Sequence, residues 1–475
     1  MSTPPPTSSV PAAEPGFLAT LNEALVGSRQ DFTEGSIGRA VFLLAVPMVL
    51  EMMMEALFAI CDVFWVSRLG SEAVATVGLT ESVMTLLMAV AIGLAMGTTA
   101  MVARRIGEKK PEAAAAVGVQ SILLGIAVSA LVAVPGVIYA PKILGLMGGS
   151  ADVVAIGSGY TAVMMGGSVT LVLLFLINAV FRGAGDAAIA MRVLWLANGI
   201  NIVLDPCLIF GWGPFPELGV TGAAVATTIG RGVGVLFQLW VLFRGASEHL
   251  PVAIAHVRPH LELIGRLIKV STGGVLQFLV ATCSWVAVVR VIALFGDTAV
   301  AGYTIAIRIV IFTILPAWGM SNAAATLMGQ NLGAGKPDRA ERSVWRTGHY
   351  NAAFMALVSV MFLLIPAPMV GIFTSDPEVL AVGIQCLRTV AFGYVFYAYG
   401  MVLVQAFNGA GDTMTPTWIN LFCYWLFQIP LAYFLATRAN LESLGVFIAI
   451  LAAEIALTVT AMLVFRRGGW RTKVV

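Results

Sequence analysis

Asp62 and Asp205 lie within long apolar runs of this sequence, and Asn201 precedes Asp205 by one helical turn, on the same face. Carboxylate and amide oxygens are the ligands that a hard cation takes, and a carboxylate also takes a proton. Two carboxylates sharing one low-dielectric pocket relieve their repulsion by holding a proton or a Na+ between them. The structural alternative is an interhelical hydrogen-bond cluster. Glu51 and Glu55 add two acids upstream. At 100° per residue, Glu51, Glu55 and Asp62 fall within ~40° of one another on one helix face. Either that stripe lines a water-filled path, or Glu51 and Glu55 pair with an arginine of another helix, such as Arg290 or Arg308. Pro47 removes a backbone hydrogen bond upstream of Asp62 and gives the helix a place to bend.

Such residues need a scaffold, and the composition narrows it. Of 475 residues, 59% are hydrophobic and 11% charged, with mean hydropathy +0.92. Soluble domains carry roughly 25% charged residues. Too few polar side chains remain to cover a water-exposed surface, which excludes a cytosolic enzyme. A net charge of +2 gives no field that seeks phosphates, so no nucleic-acid partner is expected. A polytopic protein with the lipid bilayer as its partner fits.

Twelve apolar segments follow one another, at about 38–66, 74–101, 115–140, 152–180, 189–213, 219–244, 265–295, 298–328, 348–374, 378–406, 415–436 and 444–466. In lipid each backbone amide must be satisfied within its own segment, so an all-α membrane protein of twelve transmembrane helices is expected. The long first and seventh segments have room for a break. Twenty of the 27 Lys and Arg fall at the termini and in the loops after even-numbered segments, three fall on the other side and four within segments. That asymmetry places both termini in the cytoplasm, with the chain multi-pass in the cell (inner) membrane. Residues 1–35, rich in Pro, Ser and Ala, read as a disordered cytoplasmic tail. An N-terminal lobe spans 36–247, a cytoplasmic linker 248–264, and a C-terminal lobe with a short basic tail 265–475.

The five cysteines lie in apolar runs and read as small buried hydrophobes. No CxxC, HExxH or phosphate-binding G-x-x-x-x-G-K-[ST] pattern occurs, so no structural metal, cofactor, ATPase or other enzyme activity is expected.

A shift of 226 residues aligns three windows without a gap: 70–114 on 296–340, FRGAGD (181–186) on FNGAGD (407–412), and Leu218-Gly219-Val220 on Leu444-Gly445-Val446. Six segments per half is an even number, so the halves are parallel repeats, with a site expected between two lobes. The informative residues break the repeat. Asp62 faces Val288 in the alignment, Asp205 faces Leu431 and Asn201 faces Phe427. Helix packing needs the same small residues in both halves, whereas ion chemistry needs carboxylates in only one. Glu454 is the one deep acid of the second half and reads as a structural pair. Gln277 reads equally as a polar tie between helices or a substrate contact. The 21 methionines and 25 phenylalanines suit a pliable apolar cavity.

Residues 31–79 (DFTEGSIGRAVFLLAVPMVLEMMMEALFAICDVFWVSRLGSEAVATVGL), the pair RRIGEKKP/QNLGAGKP and the pair FRGAGD/FNGAGD together resemble the multidrug and toxic compound extrusion (MATE) family. The resemblance spans about residues 31–466. It implies two six-helix lobes forming a V, and antiport of organic, often cationic, compounds against Na+ or H+ as coupling ion. It places the family's first-helix aspartate on Asp62 and its proline on Pro47, and its fifth-helix Asn-x-x-x-Asp pair on Asn201 and Asp205. Its sixth-helix threonine falls on Thr227, with Thr221 the other register. Some members carry acids in helices 7 and 10, where this chain has Gln277 and Arg388 and no deep acid. Secondary-active multidrug efflux by alternating access is therefore the expected function, with small-molecule drugs or toxic compounds as partners and a monomer as the expected state. The alternative is a lipid-linked oligosaccharide flippase of related architecture, which needs Arg231, Arg290, Arg308 and Arg388 to converge on a central cavity.

Overall fold

A computed structural model describes residues 16–28, 30–244 and 250–473. Helices α1 (Phe17–Val26), α2 (Ile37–Val66), α3 (Ser71–Gly107), α4 (Pro111–Ile138), α5 (Ala140–Leu146), α6 (Ala151–Gly166), α7 (Ser168–Ala184), α8 (Ala187–Phe210) and α9 (Val220–Phe243) form the N-terminal half. The C-terminal half holds α10 (Leu261–Ile292), α11 (Asp297–Gly333), α12 (Pro337–Leu364), α13 (Pro366–Gly371), α14 (Pro377–Ala391), α15 (Tyr394–Gly409), α16 (Met414–Asn420), α17 (Ile429–Tyr433) and α18 (Glu442–Arg466). No strand occurs among the described residues. Eleven spans are long and apolar enough to cross a membrane, and the pair α14–α15, bent by 60°, makes the twelfth. The chain is thus a multi-pass membrane protein.

The breaks fall elsewhere than in the first and seventh segments. Both α2, through Pro47, and α10 run on as single helices. The interrupted spans are the fourth, between α6 and α7 at Gly167, and the tenth, between α14 and α15 at Gly393. Gly167 and Gly393 are repeat equivalents. The repeat also fixes the turns. Gly185 (φ 97°) and Gly411 (φ 82°) close the two GAGD turns in a conformation that favours glycine. In the other pair of turns, Gly335 (φ 70°) is matched by Lys109, which takes φ 59°.

The lobes meet in two crossings related by the repeat. Gly93 and Gly97 of α3 lie against Val275 and Ser271 of α10, and Gly319 of α11 lies against Met48 of α2. Further toward the basic end, Gly107 abuts the Gln330 carbonyl and Gly333 abuts the Arg104 carbonyl. Small residues let the backbones touch there, as in membrane helix packing generally. All these contacts lie in the halves of the helices that lead to the Lys- and Arg-rich loops.

The expected tail 1–35 is corrected over its described part. Residues 17–26 form α1, because a helical run with Leu and Phe can bury an apolar stripe. Ala24 is buried, the Phe17 ring meets Phe42 at 5.7 Å, and Glu23 pairs with Arg39 at 2.5 Å. Residues 30–35 then form a strap across both lobes. Asp31 pairs with Lys109 of the N-terminal lobe. On the other lobe, the Arg339 guanidinium donates to the Gly35 and Glu34 carbonyls at 2.9 and 2.6 Å, and Lys336 donates to the Thr33 carbonyl at 3.0 Å. Burial alone would raise the Asp31 carboxyl, but the Lys109 ammonium and Thr33 outweigh it and hold it at about 2. Residues 1–15 and 29 of the expected tail lie outside the described residues.

The linker also ends four residues earlier than expected, since α10 begins at Leu261 with His260 as its cap. Gln120 ties the linker down, donating to the His256 and Arg258 carbonyls at 2.8 and 2.9 Å. Among the cysteines, Cys386 and Cys423 are buried as expected, whereas Cys61 and Cys207 are half-buried and Cys283 is exposed.

Candidate functional site

Three helices of the N-terminal lobe assemble the polar cluster. α8 packs between α2 and α9, which brings its Asn198-Asn201-Asp205 face against both neighbours. The Asn201 amide donates to the Thr227 hydroxyl of α9 at 2.9 Å. Thr221 instead lies against Gly159. Asp205 is fully buried, and neither of its carboxylate oxygens has a hydrogen-bond partner among the described residues. The Asn201 carbonyl oxygen is unpartnered as well. Asp62 of α2, half-buried, lies within Coulombic reach of Asp205. Three buried acceptor oxygens without a donor, beside a second carboxylate, are a costly arrangement unless something positive fills it.

Three further groups share this site. Glu81 of α3 and Arg231 of α9 both act electrostatically on Asp62. Tyr160 of α6, buried, feels Asp62, Glu81, Arg231 and Asp205 together. Glu81 and Tyr160 are not among the residues singled out from the sequence, and Arg231 is named there only for the flippase alternative. The signal was available: their repeat partners are Ile307, Cys386 and Leu457, so all three break the repeat as Asp62 does.

Glu51 and Glu55 face a different space. Glu51 accepts from Arg182 at 3.0 Å and from Asn178 at 3.1 Å, and Glu55 accepts from Asn198 at 3.0 Å. The partner of Glu51 is thus neither Arg290 nor Arg308. It is Arg182, which belongs to the last turn of α7 rather than to a loop. Glu51, Glu55 and Arg182 line a cavity of about 290 Å³ between the lobes, together with Met96, Trp318 and Gln405. Gln277 lines a neighbouring cavity of about 240 Å³, walled mostly by the C-terminal lobe with Met96 of α3 at its edge, and its amide oxygen has no partner among the described residues. Glu454, read from the sequence as half of a structural pair, has as its hydrogen-bond partner among the described residues only the Tyr424 hydroxyl, at 3.2 Å. Arg290, Arg308 and Arg388 are exposed, and none of them lines these cavities.

The described residues hold no cluster of three or more His, Cys, Asp or Glu side chains suited to a metal ion. A monovalent cation in the N-terminal lobe would draw on Asp62, Asp205, Asn201 and Thr227, which supply two carboxylates, an amide oxygen and a hydroxyl.

A family model described as MatE matches residues 47–207 and again 274–434, once in each repeat. The chain is 28% identical over 445 residues to a probable multidrug resistance protein, NorM, of Thermotoga maritima, covering 92% of this chain and 94% of that one. It is 24% identical to the multidrug export protein MepA of Staphylococcus aureus, covering 91% and 94%. Among solved structures it resembles an outward-facing multidrug resistance MATE transporter, with TM-score 0.87 and 27% identity over 93% of this chain and 98% of that one. With both halves matched and twelve spans in two lobes, the chain belongs to the MATE family and is a membrane transporter rather than an enzyme.

Proposed function

We propose that the protein is a secondary-active efflux pump, exporting organic, often cationic, compounds in exchange for Na+ or H+. The observation that carries this reading is the buried Asp205 carboxylate beside Asp62, without a donor among the described residues, with the Asn201–Thr227 hydrogen bond holding the wall of the site. The relatives named as multidrug resistance and export proteins support it.

Helix α2 is the element that links site to motion. Asp62 stands near one end of it, and Met48, further along, meets Gly319 of the opposite lobe. A cation or proton arriving at Asp62 and Asp205 removes a repulsion and changes how α2 sits on α8. The change is felt where α2 crosses α11. With the basic loops in the cytoplasm, lobes joined at that end form the outward-facing state. Coupling then requires that ion and drug prefer different states, because a ligand with equal affinity for both shifts nothing. Both lobes come from one chain, so a monomer in the cell membrane completes the cycle. The flippase reading has no comparable support, since Arg290, Arg308 and Arg388 stand away from the central cavity and Arg231 sits beside Asp62 in the N-terminal lobe.

Ethidium efflux from proteoliposomes, driven separately by a sodium gradient and by a pH gradient, tests this reading. Efflux driven by at least one of the two is expected. Vesicles that release ethidium at the same rate with both gradients as with none would overturn it.

A further inference from the structure

The C-terminal lobe holds a second polar pocket that the coupling mechanism leaves unused. Two cavities of about 240 and 260 Å³ meet at Glu454 of α18, and both are lined by Tyr397 and Tyr424. Three oxygens on the wall of the smaller one have no hydrogen-bond partner among the described residues: Glu454 Oε2, Gln277 Oε1 and Asn420 Oδ1. Gln277 and Asn420 are more than nine-tenths buried. They come from three different spans, so neighbouring turns of one helix do not explain them. No Lys or Arg lines either cavity. The smaller cavity shares Met96, Phe278, Trp318 and Gln405 with the space between the lobes, so it opens onto the central pathway.

These features select an occupant. A lone proton on Glu454 answers one oxygen and leaves the other acceptors bare. Na+ takes more oxygen ligands than three and gains little from aromatic walls. A primary ammonium carries three N–H donors, one for each orphan acceptor, and a positive charge that the carboxylate and the tyrosine faces attract. We propose that Glu454, Gln277 and Asn420 form a subsite for the ammonium head of a primary organic amine, with its aromatic body against Tyr397 and Tyr424. As a substrate subsite, this rests on the efflux reading above. As a binding site, it stands on the geometry alone. Drug and coupling ion would then occupy different lobes and act on each other through the lobe crossings rather than by direct displacement.

Calorimetric titration of the purified full-length protein with 2-phenylethylammonium, in sodium-free potassium buffer, tests this. It needs no gradient, so a failure of gradient-driven efflux does not affect its outcome. Glu454→Gln and Gln277→Leu should each weaken binding by at least about tenfold, the worth of a charge-assisted hydrogen bond lost from a desolvated site. The N,N,N-trimethyl analogue keeps the charge and the ring but has no N–H, and should bind at least about tenfold more weakly than the primary amine. Glu378→Gln removes an exposed acid of the same lobe and should stay within about twofold. Melting curves of each variant separate lost binding from lost fold. No binding to the wild type, a Glu454→Gln protein binding as tightly as the wild type, or a trimethyl analogue binding as tightly as the primary amine would overturn the proposal.

Discussion

Replacing Gly93 and Gly319 by alanine should unseat the contact that holds the lobes together. A Cβ at Gly93 would lie 2.4 Å from the Val275 backbone nitrogen, and one at Gly319 would lie 2.5 Å from the Met48 carbonyl oxygen. Both obstacles are helical backbone, so no side chain can swing aside. Restoring ordinary contact of roughly 3.5 Å between heavy atoms needs a displacement of about 1 Å at each crossing. Overpacking of this kind costs about 1–3 kcal/mol, a factor of roughly 5–150 in a two-state equilibrium. The strain exists only while the basic end is joined, so Gly93→Ala/Gly319→Ala should favour the state in which that end parts and the opposite end closes. Spin labels at Gly145 and Gly371, repeat equivalents with open space around them at the opposite end, report this in a cysteine-free background. Double electron–electron resonance should show the shorter-distance population growing in the double variant. An unchanged distance distribution would refute the claim that these crossings set the lobe equilibrium.

Three other outcomes are expected. Thr227→Val deprives the Asn201 amide of its acceptor at a cost of about 1 kcal/mol. It should raise the coupling-ion concentration needed for half-maximal efflux several-fold, and an unaltered ion dependence would count against Thr227 as part of the site. Glu51→Gln leaves the Arg182 charge without its carboxylate between the lobes, which costs about 3–5 kcal/mol when a buried pair is broken from one side. The melting temperature should fall, and Glu51→Gln/Arg182→Gln should recover part of the loss; a double variant no more stable than the single one would contradict the pairing. Asp31 is held at about 2 against 3.8 for a free aspartate, so its contribution is complete above pH 3.8 and fades as pH falls toward 2. Asp31→Asn should therefore be less stable than wild type by under about 1 kcal/mol at neutral pH, as befits an exposed pair. The gap should be constant from pH 5 to 8 and close in acid; a gap that widens on acidification would refute the Lys109 pairing.

Much of the architecture is legible in the sequence because it follows from one-dimensional signals. Apolar length gave the twelve spans, and the 226-residue offset gave the two lobes, to the point that Gly93 and Gly319 turn out to make equivalent crossings. The Asn201-x-x-x-Asp205 face is legible from helical spacing, but its contact with Thr227 needed the resemblance, since spacing says nothing of which helices are neighbours. Glu51 shows the same limit. Its partner Arg182 lies next to a GAGD turn and reads as a loop residue, although α7 carries it to the wall of the central cavity. Glu81, Tyr160 and the place of Arg231 beside Asp62 were hidden for another reason. Asp62 draws them together from three helices far apart in sequence, and only the repeat comparison, applied to every polar residue, would have singled them out. Helix α1 was obscured by the Pro- and Ser-rich stretch before it, whose composition dominates the window.

The central claim is that Asp62 and Asp205 share the ion that drives the lobes. Ethidium efflux from proteoliposomes under a fixed ion gradient, wild type against Asp62→Asn and Asp205→Asn, tests it most directly. Each variant keeps the shape of the side chain and removes its charge, so gradient-driven efflux should drop by at least about tenfold while the proteins remain folded. Efflux at the wild-type rate in either variant would contradict the account.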